Sequence, residues 1–325
     1  MNHFIVFYLV AGMFWAGAVT KAQTVPIVRL PGAHLIVHVT DANGRGVPNG
    51  VVRMAGTVSP KPSSETLKEG LTDPTGKLDV RVKSNGEIHV AVDKTGYYRT
   101  EMDPAYSYEN RSGALEAAFA KSRWEPDPIA VKVVMKQIAN PIPMYVRRVN
   151  RGIPAQNMDL GFDMFVGDFV APYGQGKNVD MILRPEVSER TKKDYDYKLT
   201  VAFPNSTDGI LPFNPTPHFQ GSALRSPYSA PENGFLSSWT VTRSRRPGTA
   251  EQSNYDPEKH GYFFRIRSSA DQNGKILSGN YGKIYGDFMN FTYYLNPTPN
   301  DRNVEFDPKR NLFTNLKADE RVTAP

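Results

Sequence analysis

From residue 34 onward, apolar and polar positions alternate in short runs broken by turn residues. Residues 34–40 (HLIVHVT) and 78–82 (LDVRV) place an apolar side chain at every second position. A period of two is the mark of a half-buried strand. The same pattern predicts strands at 51–54, 88–92 and 129–136 (IAVKVVMK). Asp41-Ala42-Asn43-Gly44, Pro48-Asn49-Gly50 and Asp73-Pro74-Thr75-Gly76 are turn clusters, and residues 59–64 form a Pro/Ser loop. Ser84-Asn85-Gly86 lies between two alternating runs, which predicts a hairpin joining 78–82 to 88–92. One helix is expected, at 112–121 (SGALEAAFAK), with Ser112 as its cap and Leu115, Ala118 and Phe119 on one face. It falls in a connection, 103–128, that reads as a crossover over a sheet edge, with a lid or partner site as the alternative.

Two prolines follow a strand at 139–143, and the pattern changes there. Proline and aromatic residues now punctuate short apolar segments. Strands are expected at 160–166, 179–184, 195–203, 238–243, 262–268, 283–288 and 290–295. Asp271-Gln272-Asn273-Gly274 reads as a hairpin tip. The expectation is an all-β chain of two domains. A β-sandwich at 34–139 precedes a second antiparallel β domain at 140–325.

Composition narrows the function classes. Among 325 residues there is no cysteine, which excludes disulfides, thiolate metal sites, a cysteine nucleophile and a lipid anchor on cysteine. Gly 26 and Pro 26 favour turns and short strands. The net charge of +6 is thinly spread, with 14 basic and 13 acidic residues in 34–139 and 23 and 20 in 140–325, so no basic stripe shows. Arg243, Arg245 and Arg246 beside Trp239 form the densest cluster. Such a cluster suits phosphate or a stacked base, but it reads more simply as a solvated loop. The uncharged run 4–19 is short for a membrane span, which needs about 20 apolar residues. With small residues at Thr20 and Ala22 it reads as a signal peptide, 1–22. An exported chain, periplasmic or secreted, follows, with no membrane span after cleavage and no nucleic-acid partner.

The first domain has a recognisable order of signals. Asp41-Ala42-Asn43-Gly44 ends a strand, and Gly46-Val47-Pro48-Asn49-Gly50-Val51 follows. Thr72-Asp73-Pro74-Thr75-Gly76, Gly86 and Gly96-Tyr97 come next. This resembles the carboxypeptidase regulatory-like domain, a transthyretin-like β-sandwich. The likeness covers about 70 contiguous residues and the closing strand at 129–136, and departs from the family at the 103–128 insertion. The resemblance implies a mostly non-catalytic appendage for folding, display or adhesion. The second half resembles uncharacterised secreted bacterial proteins through Asp168-Phe169-Val170-Ala171-Pro172-Tyr173-Gly174, Tyr281-Gly282-Lys283-Ile284-Tyr285-Gly286-Asp287-Phe288 and the segment 291–307.

No G-x-S-x-G elbow, phosphate-binding loop or H-E-x-x-H motif occurs. His34 and His38 share a strand face but stand about 13 Å apart, too far for one metal. His38 and His89 are placed to meet across strands, a weak site without an evident carboxylate. Asp271-Gln272-Asn273-Gly274 lacks the ligand spacing of a calcium loop. Asp301, Glu305 and Asp307 are candidate paired carboxylates for glycoside hydrolysis and equally natural turn formers. Tyr281, Tyr285, Phe288, Phe291, Tyr293 and Tyr294 crowd one stretch. Core packing accounts for most such aromatics, and a sugar-stacking platform is the alternative. The residues chosen for it are Trp239, Tyr285, Tyr293 and Arg243. Tyr293 and Tyr294 are adjacent, so on a strand only one can face a platform. The expected role is structural, adhesive or protein-interacting at the cell envelope, with an envelope protein or polysaccharide as partner. A glycan-binding module is the alternative and a carbohydrate-active hydrolase the second. No catalytic residue, metal or cofactor is assigned.

Overall fold

The computed structural model describes residues 32–58, 64–84, 87–105, 107–109, 123–150 and 152–325. The signal peptide, the expected helix at 112–121 and Asn85-Gly86 lie outside the described residues. The described chain is all-β and forms two sandwiches.

The first sandwich comprises β1 (Gly32–Asp41), β2 (Val51–Val58), β3 (Ser64–Leu71), β4 (Lys77–Lys83), β5 (Ile88–Asp93), β6 (Thr100–Met102), β7 (Ser107–Glu109), β8 (Arg123–Glu125) and β9 (Ile129–Met135). One sheet has the order β4-β1-β9, with β1 antiparallel to β4 and parallel to β9. The second sheet runs β6-β5-β2-β3 and is extended beyond β6 by a fifth strand from the second half of the chain, and β7 and β8 form a separate ribbon. The alternation read from the sequence becomes the core. Ala33, Leu35, Val37 and Val39 of β1 and Ile129, Val131, Val133 and Met135 of β9 point inward. They meet Val52, Met54, Ile88, Val90 and Val92 from the other sheet, with Trp124 at one side.

One expectation is corrected here, and one strand is added. The hairpin of 78–82 with 88–92 does not form, because β4 pairs with β1 and β5 pairs with β2. The chain changes sheet between them, so that Val80 and Val82 face Ile88 and Val90 across one core. The Ser84 hydroxyl fastens the crossing by donating to the Thr57 carbonyl at 2.9 Å. Burial of both runs outweighs the local turn preference of Asn-Gly. The edge strand β3 was not foreseen, because its leucines Leu67 and Leu71 are exposed and leave no apolar face to detect.

The turn clusters fold by one device. Asp41 Oδ1 accepts the backbone N–H of Asn43 and Arg45, Asp73 Oδ1 those of Thr75 and Lys77, and Asp271 Oδ1 those of Asn273 and Lys275. Three residues after each Asp, Gly44, Gly76 and Gly274 take φ of +78°, +81° and +79°. At Gly76 an added Cβ would also lie 2.3 Å from the Val39 carbonyl oxygen.

The second sandwich holds β10 (Ile142–Val149), β11 (Leu160–Asp163), β12 (Asp168–Phe169), β13 (Met181–Thr191), β14 (Asp194–Ala202), β15 (Gly209–Phe213), β16 (Gln220–Ser222), β17 (Ser238–Arg245), β18 (Gln252–Ser253), β19 (Gly261–Ala270), β20 (Ile276–Gly286), β21 (Phe291–Leu295) and β22 (Phe306–Asn311). The sheets run β15-β19-β20-β21-β10-β22 and β12-β11-β13-β14-β17-β18. The Asp271–Gly274 turn joins β19 to β20, as its sequence indicates. The core between the sheets is aromatic: Phe162, Tyr262, Phe264, Phe288, Phe291 and Tyr293 pack with Leu183, Leu199, Val201 and Ile284. Edge-to-face contacts such as Phe162 to Phe169, at 5.3 Å between centroids, order it.

This sandwich also buries charge. Asp163 is 1% exposed. It accepts the N–H groups of Phe165, Val166, Lys177 and Asn178 and a bond from Arg267. Arg267 also binds Asp180, at 2.7 Å and 3.0 Å, and lies 4.1 Å over the Phe165 ring. Burial alone would raise the Asp163 pKa, but the amides of Asn178, Lys177 and Val166 together with Arg267 hold it below the usual carboxylate range.

Candidate functional site

The strands place the most chemically loaded side chains at the junction of the two sandwiches. On β20, Ile284 points into the sandwich while Lys283 and Tyr285 point out. On β21, Tyr293 points in and Tyr294 out. The outward face is roofed by the loop around β16, by the C-terminal segment and by the first sandwich.

Three ties close this junction. First, β16 pairs antiparallel with β6, so a strand of the second half extends a sheet of the first. Second, the buried Glu305 carboxylate accepts the Tyr98 hydroxyl at 2.7 Å and the N–H groups of Ala139 and Asn140 at 2.8 and 2.6 Å. Burial and the neighbouring Glu305 push the Tyr98 pKa up. Third, Lys136, just beyond β9, donates to the Leu224 and Ser226 carbonyls at 3.0 and 3.1 Å. Beside it Lys283 is fully buried, donates to the Ser226 hydroxyl at 3.1 Å, and sits 4.6 Å over the Tyr294 ring. Burial, then repulsion from Lys136, pushes the Lys283 amine down to about 7.

A cleft of about 290 Å³ opens next to these ties, lined by Arg148, His218, Arg225, Tyr255, Tyr285 and Tyr294. His218 Nδ1 bonds Glu258 at 2.9 Å, and its backbone N–H donates to the same carboxylate at 2.6 Å. Arg225 donates to His218 Nε2 at 3.0 Å and to the Thr216 and Pro257 carbonyls. Because Arg225 can only donate, Nε2 is the acceptor and Nδ1 carries the proton toward Glu258. Partial burial works against the Glu258 carboxylate, but the His218 bonds hold its pKa low. Both imidazole nitrogens are therefore engaged, and the bond to Nε2 helps hold Arg225 over the Tyr285 ring.

The chosen platform residues separate. Tyr285 lies in the cleft with Arg225 stacked 5.4 Å over its ring. Tyr293 is 0% exposed and donates to the Met164 carbonyl at 2.8 Å, inside the sandwich. The alternation left one tyrosine for the outer face, and Tyr294 takes that place, though it is only 3% exposed beneath the C-terminal segment. Trp239 is half-buried against Tyr262 at 5.8 Å, and Arg243 pairs with Asp287. These two belong to the opposite side of the β19-β20-β21 sheet from Tyr285.

The remaining candidates resolve into structural contacts. His38 and His89 lie on different sheets, β1 and β5, and do not meet. His89 Nδ1 instead bonds Asp103 at 2.6 Å. Asp301 and Asp307 accept the N–H groups of Asn303 and Lys309 in turns, while Glu305 is the junction tie. One surface aromatic was missed. Phe219 is 60% exposed, holds φ of +56°, and stands edge-on to His89 at 5.7 Å. A positive φ is costly for a bulky residue, and no sequence pattern marks it.

No family model matches the chain. No curated protein matches it either. Among solved structures it is similar to BcpA, the major pilin subunit of Bacillus cereus, at 13% identity over 87% of this chain and 97% of that chain. The TM-score of 0.22 is too low to carry an argument about function.

Proposed function

We propose that this chain is an exported, non-catalytic protein with a structural, adhesive or protein-interaction role at the cell envelope, acting as one stiff two-sandwich unit. The observation that carries this reading is the junction, where a shared sheet, the Glu305 carboxylate and Lys136 fasten the sandwiches together. The engagement of both His218 nitrogens favours binding over acid–base chemistry. The positive-φ glycines at 44, 76 and 96 favour placing the first sandwich among carboxypeptidase regulatory-like domains. The test is fractionation of the source cells with an antibody to the folded chain. Recovery in the envelope or the medium is expected, and recovery in the cytoplasm overturns the reading.

A second reading, glycan binding, is favoured by the tyrosine-walled cleft and by the exposed Phe219 ring. Binding to a glycan array that is lost in Tyr285→Ala but kept in Trp239→Ala would support it.

A further inference from the structure

The outer face of the β4-β1-β9 sheet concentrates positive charge. His38 pairs with Lys77 on one side and with Lys132 on the other, which makes one unbroken row across three strands. Four residues along β1, His34 stands opposite Arg81. Lys77, Arg81 and Lys132 are exposed. Among the described residues their side chains make no hydrogen bond or ion pair. Of the acids nearby, Asp79 at 2.8 Å and Asp127 at 3.5 Å turn to His34, and Asp73 acts on Lys77 from the adjoining turn. Apolar Val134, 54% exposed, lies on the same face.

The other sheet of this sandwich is the reverse. There Glu69 and Asp93 hold Arg53, Asp93 and Glu101 hold Arg99, and Asp103 holds His89. The near-equal counts of basic and acidic residues in 34–139 therefore conceal a separation, with unpaired cations on one sheet and acid-rich pairs on the other. Asp73 acts on Lys77 through space, but among the described residues Lys132 has no acid partner, so the row keeps a surplus of positive charge that an outside anion can meet.

We propose that this face is a docking surface for an anionic polysaccharide, whose repeated carboxylate or phosphate groups lie across the row and along β1. The inference rests on the envelope reading above and names its partner. The row is about 10 Å wide and the His34–Arg81 pair lies about 13 Å further along the strands. A polymer with successive charges can meet both, whereas a single small anion cannot. Point-charge lysines without a pocket suit a polymer held by many weak, screened contacts.

The test is binding of the full chain to fluorescent polygalacturonate, with neutral dextran and phosphatidylglycerol vesicles in parallel. Saturable binding to the polyanion, weakening at least about tenfold between about 50 and about 200 mM salt, is expected. The variant Lys77→Ser/Arg81→Ser/Lys132→Ser should lose about tenfold or more. The charge-matched variant Lys192→Ser/Lys193→Ser/Lys275→Ser should bind as the parent does. All six positions are exposed, and equal Tm values verify that both variants fold. Equal losses in the two variants would reduce the effect to net charge and overturn the proposal. Preference for the lipid vesicles, or no saturable binding at low salt, overturns it as well. Recovery of the chain in the envelope without polysaccharide binding would leave the envelope reading standing and remove only this surface.

Discussion

The two sandwiches solve the same packing problem with different materials. The first fills its interior with aliphatic side chains on strict alternation, led by Leu35, Val37, Val39, Val131 and Val133. The second packs rings against rings and admits Asp163, Asp180 and Lys283 into its interior or under its roof, with the partly exposed Arg267 capping the two carboxylates. An aliphatic core tolerates a deletion in proportion to the cavity left. A buried ionic knot fails as a unit, because each lost partner strands the others. The contrast teaches that the second sandwich gains fixed loop geometry from its charges while becoming vulnerable at single positions.

The sharpest way to break the comparison is Asp163→Ala. It strands four amides and part of the Arg267 guanidinium, and should cost about 3–5 kcal/mol. Leu35→Ala in the first sandwich should cost about 2–5 kcal/mol, set by how well its site collapses. Urea denaturation can follow each half separately, since Trp124 reports the first core and Trp239 the second. If Asp163→Ala melts both tryptophan environments together, the halves form one cooperative unit. Two separated transitions would show that the junction does not couple them.

Glu305→Ala addresses the coupling directly. It removes the acceptor for Tyr98, Ala139 and Asn140 and should cost about 2–3 kcal/mol. Calorimetry should then show one transition dividing into two.

Lys283 should give the second half a strong pH signature, in the same direction as that of the burial-depressed Lys136 in the first. Its folded value of about 7 lies below the ordinary lysine value of 10.5. Between these two values the unfolded chain binds more protons, so stability rises with pH across that window. Below about 7 the lysine is protonated in both states and the full cost of its burial is present. Subtracting Lys283→Met from the parent isolates this slope, up to about 1.4 kcal/mol for each pH unit. A flat difference would show that Lys283 keeps its proton through contacts with its neighbours. The smallest effect belongs to Arg184→Ala, which breaks a solvent-screened pair with Asp159 and should leave the midpoint of chemical denaturation nearly unchanged.

Legibility follows the same division. Alternation in β1, β4 and β9 revealed strands and their inward faces, because period two maps directly onto a half-buried sheet. The Asp-x-x-Gly turns were legible because carboxylate and glycine act within five residues. Pairing was not legible: β4 and β5 flank an Asn-Gly yet join different sheets, since partner choice is set by the shared core. In the cleft, Tyr285 was found but Tyr293 was chosen over Tyr294. Alternation separates neighbouring residues without saying which side faces in. The basic face escaped notice because Lys77, Arg81 and Lys132 are dispersed in sequence and assembled only by register. Lys283 hid inside an apolar run, and its partner Ser226 lies on a distant loop.

The pairing of β16 with β6 bears on how such a chain can be inherited or cut. A segment ending near residue 139 carries all of β1 through β9 yet leaves the β6 edge open where Gln220–Ser222 would lie. An open edge invites pairing with stray strands. The first sandwich is thus not a free cassette that recombination can move to a new host protein unaltered. It would have to carry this borrowed strand with it, or find another to close the same edge.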